Sequence, residues 1–391
     1  VDEFLPRIAD WAAMTCYAAA AIGCVYALIA AWAVRGFEAS APPALAPVTS
    51  YPTVTILKPL HGSEPNLYAN LAGFCAQDYP SAVQIVFGVA DPADPAIRIV
   101  RQLIADFPDC DITLAINSWR HGANAKVSNL INMAAEAQHE ILVLSDSDII
   151  VDRDYLKGIV GCLERPGVGL VTCLYRGAAT SGLWGSLTAA AIDYHFLPNV
   201  LVALKFGLAA PCFGSTIALR KETLAKIGGF ESVVDQLADD YALGALVRQT
   251  GLSVAMPTLI VAHACAERSA GDLFRHELRW ARTIRSVDSL GFAGLALTHA
   301  WPLALLGILL GGFTPASMIA IVALACRFVL QIELDRAFRL RDDLFWMGPL
   351  RDVLSFVVFV ASFFGRRVEW RGHRYGVRAD NTLAYYGEAK L

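Results

Sequence analysis

Charge is scarce in this chain. Asp, Glu, Lys and Arg make up 17% of its 391 residues against a hydrophobic share of 55%, too apolar a balance for a soluble protein alone. The surplus points to membrane segments, and the length exceeds what one compact domain needs. Net positive charge is missing too. The formal charge of −4 lacks the general attraction that nucleic acid exerts on a protein, so no nucleic-acid partner is expected. No CxxC pair occurs among the nine cysteines, which scatter from Cys16 to Cys326. That excludes a disulfide framework and a zinc site, and it suits a reducing cytosol. Internal repeats and long low-complexity tracts are absent as well.

What is present begins with uncharged runs. Residues 11–34 hold no Asp, Glu, Lys or Arg, and about 20 apolar residues span a bilayer as a helix. Asp2 and Glu3 precede the run and Arg35 follows it, so the positive-inside rule puts the following domain in the cytosol. No basic leader stands before the run, and it is too long for a signal peptide. Residues 289–326 are uncharged and broken by Gly311-Gly312-Phe313-Thr314-Pro315, which reads as a helical hairpin. A further apolar segment, 344–365, carries Arg351 and Asp352; such charges at membrane depth must face protein or water. Its basic flanks, with Arg336, Arg339 and Arg341 before it and Arg366, Arg367, Arg371 and Arg374 after it, both look cytoplasmic. One crossing does not satisfy both.

The expected organisation is an anchor at 1–36, a linker at 37–52, a catalytic domain at 53–270, an amphipathic helix at 271–290, a membrane region at 291–365 and a basic tail at 366–391. Within 53–265, strand-like runs at 53–57, 84–89, 111–116 and 141–144 alternate with helix-like stretches. Such alternation predicts an α/β fold, a mostly parallel sheet covered by helices, with ligands beyond the carboxyl ends of its strands. Residues 183–210 are apolar but interrupted by Asp193, His195, Pro198 and Lys205. Residues 273–290 carry Arg275, Arg279, Arg282 and Arg285 among apolar residues. Both read as helices lying at the bilayer surface.

Several acids sit where chemistry needs them. Asp146-Ser147-Asp148 follows a strand, and two carboxylates so placed can hold Mg2+ or Mn2+ together with a diphosphate. A lone DxD triplet also arises by chance or as a helix cap. Asp91 ends an earlier strand, where it can bind a base or ribose or simply shape the turn before Pro92. Lys126 lies between these acids in the chain and can meet a diphosphate or face solvent. Asp239-Asp240 opens a helix; either acid can serve the helix dipole, and a carboxylate here can also take a proton from a sugar acceptor. His276-Glu277-Leu278-Arg279-Trp280 stands just before the hairpin, its Trp suited to a sugar or an interfacial belt and its Arg to a phosphate.

Taken in order, these residues resemble the ceramide glucosyltransferase family, glycosyltransferase family 21. Its pattern of one Asp, an Asp-rich site, a third Asp and (Q/R)xxRW is met by Asp91, Asp146-Ser147-Asp148, Asp240 and His276 to Trp280. Leu57-Lys58-Pro59-Leu60-His61-Gly62, Gln77-Asp78-Tyr79-Pro80 and Lys126-Val127-Ser128-Asn129-Leu130 fit as well. The resemblance implies a GT-A domain with N- and C-terminal transmembrane helices. It implies a UDP-sugar donor, a lipid acceptor, and a multi-pass protein whose catalytic domain is cytosolic. It further gives Asp240 as base and Asp91, Lys126, Asp146, Asp148, Arg279 and Trp280 as donor-binding residues. His195, Cys212, His276 and Trp280 would serve the acceptor. His121-Gly122-Ala123-Asn124 and Phe196-Leu197-Pro198-Asn199-Val200 look most like a bacterial branch tied to hopanoid biosynthesis, which would place the protein in an inner membrane. His276 departs from the Gln/Arg of the family motif. A processive polysaccharide synthase shares the same motif logic but needs more spans, and a transporter would show repeated halves.

Overall fold

The computed structural model describes residues 4–39, 51–340, 345–365, 367–370, 373–377 and 382–388. The chain divides into two compact units. One takes in Val1–Ser40, Gly182–Ala209 and Glu267–Arg366; the other takes in Ala41–Ser181, Ala210–Ala266 and Arg367–Leu391.

The second unit is built on strands β1 (Val54–Pro59), β2 (Val83–Val89), β3 (Asp111–Ile116), β4 (Ile141–Leu144), β5 (Ile149–Ile150), β6 (Val168–Thr172), β7 (Leu174–Ala179), β8 (Ile217–Arg220), β9 (Ser253–Ala255) and β10 (Ile260–Cys265). Seven of them form one sheet in the order β3-β2-β1-β4-β8-β6-β9. All neighbours run parallel except β8, which is antiparallel to both β4 and β6. The sheet is therefore mixed, and mostly parallel as expected.

Side-chain alternation explains why helices cover both faces. Val54, Ile56, Ile85, Phe87, Ile141 and Val143 enter one core, with the helices Leu67–Cys75, Ala96–Asp106 and Tyr155–Leu163. Leu57, Val86, Leu142 and Leu144 point the other way, onto Ala125–Ala134 and Asp239–Gln249. Strands apolar on both faces cannot tolerate water on either. From β1 to β3 the chain steps outward, then crosses back past β1 to β4. That reversal opens a crevice between the carboxyl ends of β1 and β4, where such sheets bind ligands.

A small sheet, β5-β10-β7, aligns His263 with Ile149 and so brings β10 beside the turn after β4. The stretch read as a basic tail holds three antiparallel strands, β11 (Arg367–Trp370), β12 (His373–Val377) and β13 (Leu383–Glu388). They attach through the Leu383 N–H, which donates to the Asp235 carbonyl at 2.8 Å.

The first unit is helical. Among the described residues four helices are long and apolar enough to cross a membrane: Arg7–Phe37, Leu183–Lys205, Pro315–Phe338 and Phe345–Ser362. The pair Ser289–Thr298 and Ala300–Gly311, bent by 71°, makes a fifth if it counts as one span. Small residues let these helices approach: a Cβ on Gly23 would sit 2.5 Å from the Leu297 carbonyl oxygen and 2.8 Å from the Ala300 methyl.

Residues 183–205, read as interfacial within the catalytic stretch, fall in this helical unit. Of the polar residues that suggested a surface position, Asp193 is buried and His195 is paired inside it, while Lys205 is exposed with its ammonium 4.8 Å from the Trp32 ring centre. Tyr194 donates to Asp335 at 2.6 Å, and His195 lies 2.8 Å from Asp352. In the amphipathic helix Ala270–Val287, Arg282 and Arg285 donate to the carbonyls of Phe364 and Gly365 at 2.7 and 2.8 Å, capping the end of Gly348–Ser362. Arg351 and Asp352 meet the condition the sequence set for them: each faces an opposite charge, Glu277 and Arg327 respectively. Linker residues 40–50 and Arg341, Arg366 and Arg371 lie outside the described residues.

Candidate active site

Four segments of the second unit converge on Gly214. The backbone of β1 pairs with β4 up to Leu57 and Leu144, and the chain then turns through Ser145 and Asp146. Lys58 fixes this turn from below. It is fully buried, and its ammonium donates to the Asp146 carbonyl at 2.5 Å and to Ser145 Oγ at 3.4 Å, 3.7 Å from the Phe74 ring centre. Burial pulls this ammonium down to about 7, against the pull of the Asp148 and Asp146 carboxylates.

Lys126 comes from the opposite side, on the first turn of Ala125–Ala134. Asn124 caps that helix, its side-chain oxygen accepting from the N–H groups of Lys126 and Val127. The Asn124 amide also donates to Asp239 Oδ1 at 3.3 Å and to the Gln236 carbonyl at 2.9 Å, tying the two helix starts together. Lys126 Nζ then reaches Asp146 Oδ1 at 2.7 Å and Asp239 Oδ2 at 3.5 Å. Burial disfavours its charge, but Asp146, Asp239 and Asp240 outweigh burial and hold the ammonium well above the usual lysine range.

Asp240 lies on the first turn of Asp239–Gln249. Its Oδ2 accepts from the Gly214 N–H at 2.9 Å and its Oδ1 from its neighbour Tyr241 N–H at 2.8 Å. Burial, with Asp239 beside it, raises its carboxyl to about 6; Lys126 and the two N–H donors pull the other way. A carboxylate so poised suits a general base at neutral pH. Gly214 marks a close approach. A Cβ there would stand 2.8 Å from Asp146 Oδ2, 3.1 Å from Lys126 Nζ and 3.5 Å from Asp240 Oδ2.

Asp148 shares the turn with Asp146 and faces His263, whose Nε2 lies 3.2 Å from Asp148 Oδ2. Burial opposes a charge on His263, but Asp148 holds its imidazolium well above the usual histidine range. The side chains of Asp146 and Asp148 stay 36% and 35% exposed, open enough to take a ligand. Among the described residues no group of three or more His, Cys, Asp or Glu is arranged to hold a metal ion. Asp146 and Asp148, two hard carboxylates on one turn that each stay about a third exposed, still fit Mg2+ or Mn2+, since such a cation draws much of its shell from phosphate and water.

Lys126, Asp146 and Asp240 thus meet around one glycine, with Asp148 on the same turn. Asp91 is exposed just beyond β2 and accepts from the Ala93 N–H at 2.8 Å. Cys212 is buried in the core, where Gly244 leaves room for it. His195, His276, Arg279 and Trp280 belong to the helical unit. There His276 Nδ1 lies 2.5 Å from Glu267 and its ring 4.3 Å from that of Trp280. Sequence reasoning placed Lys58 in a family-like stretch but gave no site role to it, Gly214, His263 or Asp94. The last is buried and accepts from the Gly62 N–H and the Ala96 N–H, pinning the loop after β1 to the one after β2. The doublet Asp91–Asp94 was the available signal for it; the other three lie far in sequence from their partners.

The family model for glycosyl transferase family 21 matches residues 15–383. The chain belongs to glycosyltransferase family 21. Ceramide glucosyltransferase 1 of Caenorhabditis elegans is 24% identical over 60% of this family 21 chain and 50% of its own length. Ceramide glucosyltransferase of Candida albicans is 36% identical over 28% of this chain and 22% of its own. The matches thus span half or less of these curated relatives. A solved mannosyltransferase from Pyrobaculum calidifontis, in complex with GDP-Man and Mn2+, is 21% identical with a TM-score of 0.52, over 91% of this chain and 99% of that one. That likeness supports a GT-A-type α/β fold for this family 21 member.

Proposed function

We propose that this protein transfers one sugar from a UDP-sugar to a hydroxyl of a membrane lipid by inverting displacement. The convergence of Asp146, Lys126 and Asp240 around Gly214 carries this reading, because it sets a raised carboxylate beside a ligand-accessible acidic turn. Asp240 takes the proton of the acceptor hydroxyl as its oxygen bonds to the anomeric carbon. The bond from that carbon to the diphosphate oxygen breaks, and UDP leaves. Asp146 and Asp148 are the residues that would hold Mg2+ or Mn2+, which when bound offsets charge on the departing diphosphate. Lys126 supplies a fixed positive charge for the same diphosphate, and Asp91 meets the uridine end. Arg279 and Trp280 are assigned to donor binding, and His195, Cys212 and His276 to the acceptor, by family resemblance.

The donor in this reading is UDP-glucose or UDP-N-acetylglucosamine, and the acceptor ceramide or a hopanoid polyol. The long apolar helices sit in a bacterial cytoplasmic membrane, with the α/β unit in the cytosol. The test offers the purified chain each UDP-sugar with Mg2+ or Mn2+ and, separately, ceramide, diacylglycerol and bacteriohopanetetrol. Products are read by mass spectrometry. A single-sugar adduct on one lipid is expected. A ladder of sugars, or no adduct despite UDP binding, contradicts the proposal.

A further inference from the structure

The helical unit holds a polar cluster of its own. Arg327, on Ile319–Phe338, donates Nε to both oxygens of Asp352 at 2.9 Å, and His195 Nε2 lies 2.8 Å from the same carboxylate. Arg327 and Asp352 are 9% and 3% exposed, so the pair is closed to bulk solvent. Yet Arg327 uses only part of its donor set, because Nη2 is buried without a hydrogen-bond partner. A guanidinium carries five N–H donors, and leaving one unused among apolar helices costs as much as losing a hydrogen bond.

A cavity of about 20 Å3 opens at this point. Tyr26, His195, Asn199, Arg327 and Asp352 form its polar wall, and Ala323 and Leu330 part of its apolar wall. The Tyr26 hydroxyl donates to Asn199 Oδ1 at 2.5 Å, which fixes the amide and leaves its NH2 as a further donor. Room for about 10–15 Å3 of probe volume holds one water-sized group, so the cavity accepts a single oxygen. The Arg327–Asp352 pair is already balanced, so a charged group is not required. Spare donors, balanced charge and one-oxygen volume together select an uncharged oxygen acceptor. Ionisable groups inside such helices mark binding sites more readily than they mark mere packing.

We infer that this cavity seats one non-reacting oxygen, an amide carbonyl or a hydroxyl, of the lipid that accepts the sugar. Calling that lipid the acceptor rests on the proposed function; the existence of the seat does not. Arg327 and Asn199 are its donors, and Ala323 sets its depth.

The test is lipid retention by the full chain in detergent, counted by native mass spectrometry. The probes are ceramide, bacteriohopanetetrol and hexadecanol, the last having no second oxygen. Asn199→Leu and Ala323→Leu each add bulk at a lining position and keep both members of the Arg327–Asp352 pair. A variant qualifies when its melting temperature and its UDP affinity match the parent's, and Asn199→Ala replaces any that does not. The expected result is one ceramide or one tetrol per parent chain, at least tenfold less in each qualifying variant, and weak, equal retention of hexadecanol by all. Preference for ceramide assigns the seat to a carbonyl, and preference for the tetrol assigns it to a hydroxyl. Equal retention of all three lipids by parent and variants overturns the inference and leaves the cavity to an ordered water. Retention without sugar transfer in the parallel assay removes the proposed function and keeps the seat.

Discussion

Around Gly214 four carboxylates, Asp146, Asp148, Asp239 and Asp240, face Lys126, Lys58 and His263, and two of the four stay about a third exposed. In the helical unit two buried arginines each face a buried carboxylate. Arg327 faces Asp352 and Arg351 faces Glu277, at 2.9 and 2.6 Å, and all four residues are buried. Both clusters remove charges from water. Only the first keeps acid in excess with an open face, so it gains when a cation and its phosphate arrive. The second is balanced and closed, so its charges join helices and leave spare donors rather than an open acidic face.

That contrast can be broken from either side. The largest effect is expected from Asp240→Asn, which keeps the shape and removes the base. Sugar transfer falls by about 10²–10⁴ in steady-state rate while UDP affinity holds. Near-normal turnover would remove Asp240 from the chemistry. In the helical unit, Arg351→Leu strands the Glu277 carboxylate and destabilises the fold by about 3–5 kcal/mol, whereas Arg351→Leu with Glu277→Leu recovers most of it. Reversible unfolding in mixed micelles separates the two; equal losses would mean that packing, not charge balance, matters there.

Gly214→Ala sharpens the first cluster. Its new methyl would press on Asp146 Oδ2 at 2.8 Å. A displacement of this kind lowers turnover by about 10–100-fold, with little change in melting temperature.

The smallest effect is a pH limb. Because Asp240 is raised to about 6 and works ionised, kcat/KM drops about tenfold per unit below that pH, and the limb vanishes in Asp240→Asn. Stability responds with the opposite sign. A raised carboxyl binds its proton more tightly folded than unfolded, so its stabilising share is full below the ordinary carboxyl value and is lost as pH rises through about 6.

Much of the architecture could be read from local pattern. Runs such as 85–89 and 141–144 are apolar at every position, which suits a strand covered on both faces, and the acids at 91, 146 and 148 follow directly from strand ends. The demand that Arg351 and Asp352 face protein or water also came from the sequence. What stayed hidden depends on register and on contacts between distant segments. His263 reaches Asp148 only because β10 pairs with β5, and Lys126 reaches Asp239 only because Asn124 bridges two helix starts 115 positions apart. Gly214 has no helical or strand period to mark it. The reversed β8 was hidden for the same reason, since Ile217–Arg220 reads alike in either direction.

Calorimetric titration of UDP into the full chain, with and without Mn2+, tests the acidic turn as the diphosphate site most directly. Asp146→Asn is measured beside the parent. The expected result is tight UDP binding by the parent only when Mn2+ is present, and loss of that dependence in Asp146→Asn. Equal UDP binding without metal, or an unchanged variant, would contradict the assignment of this turn.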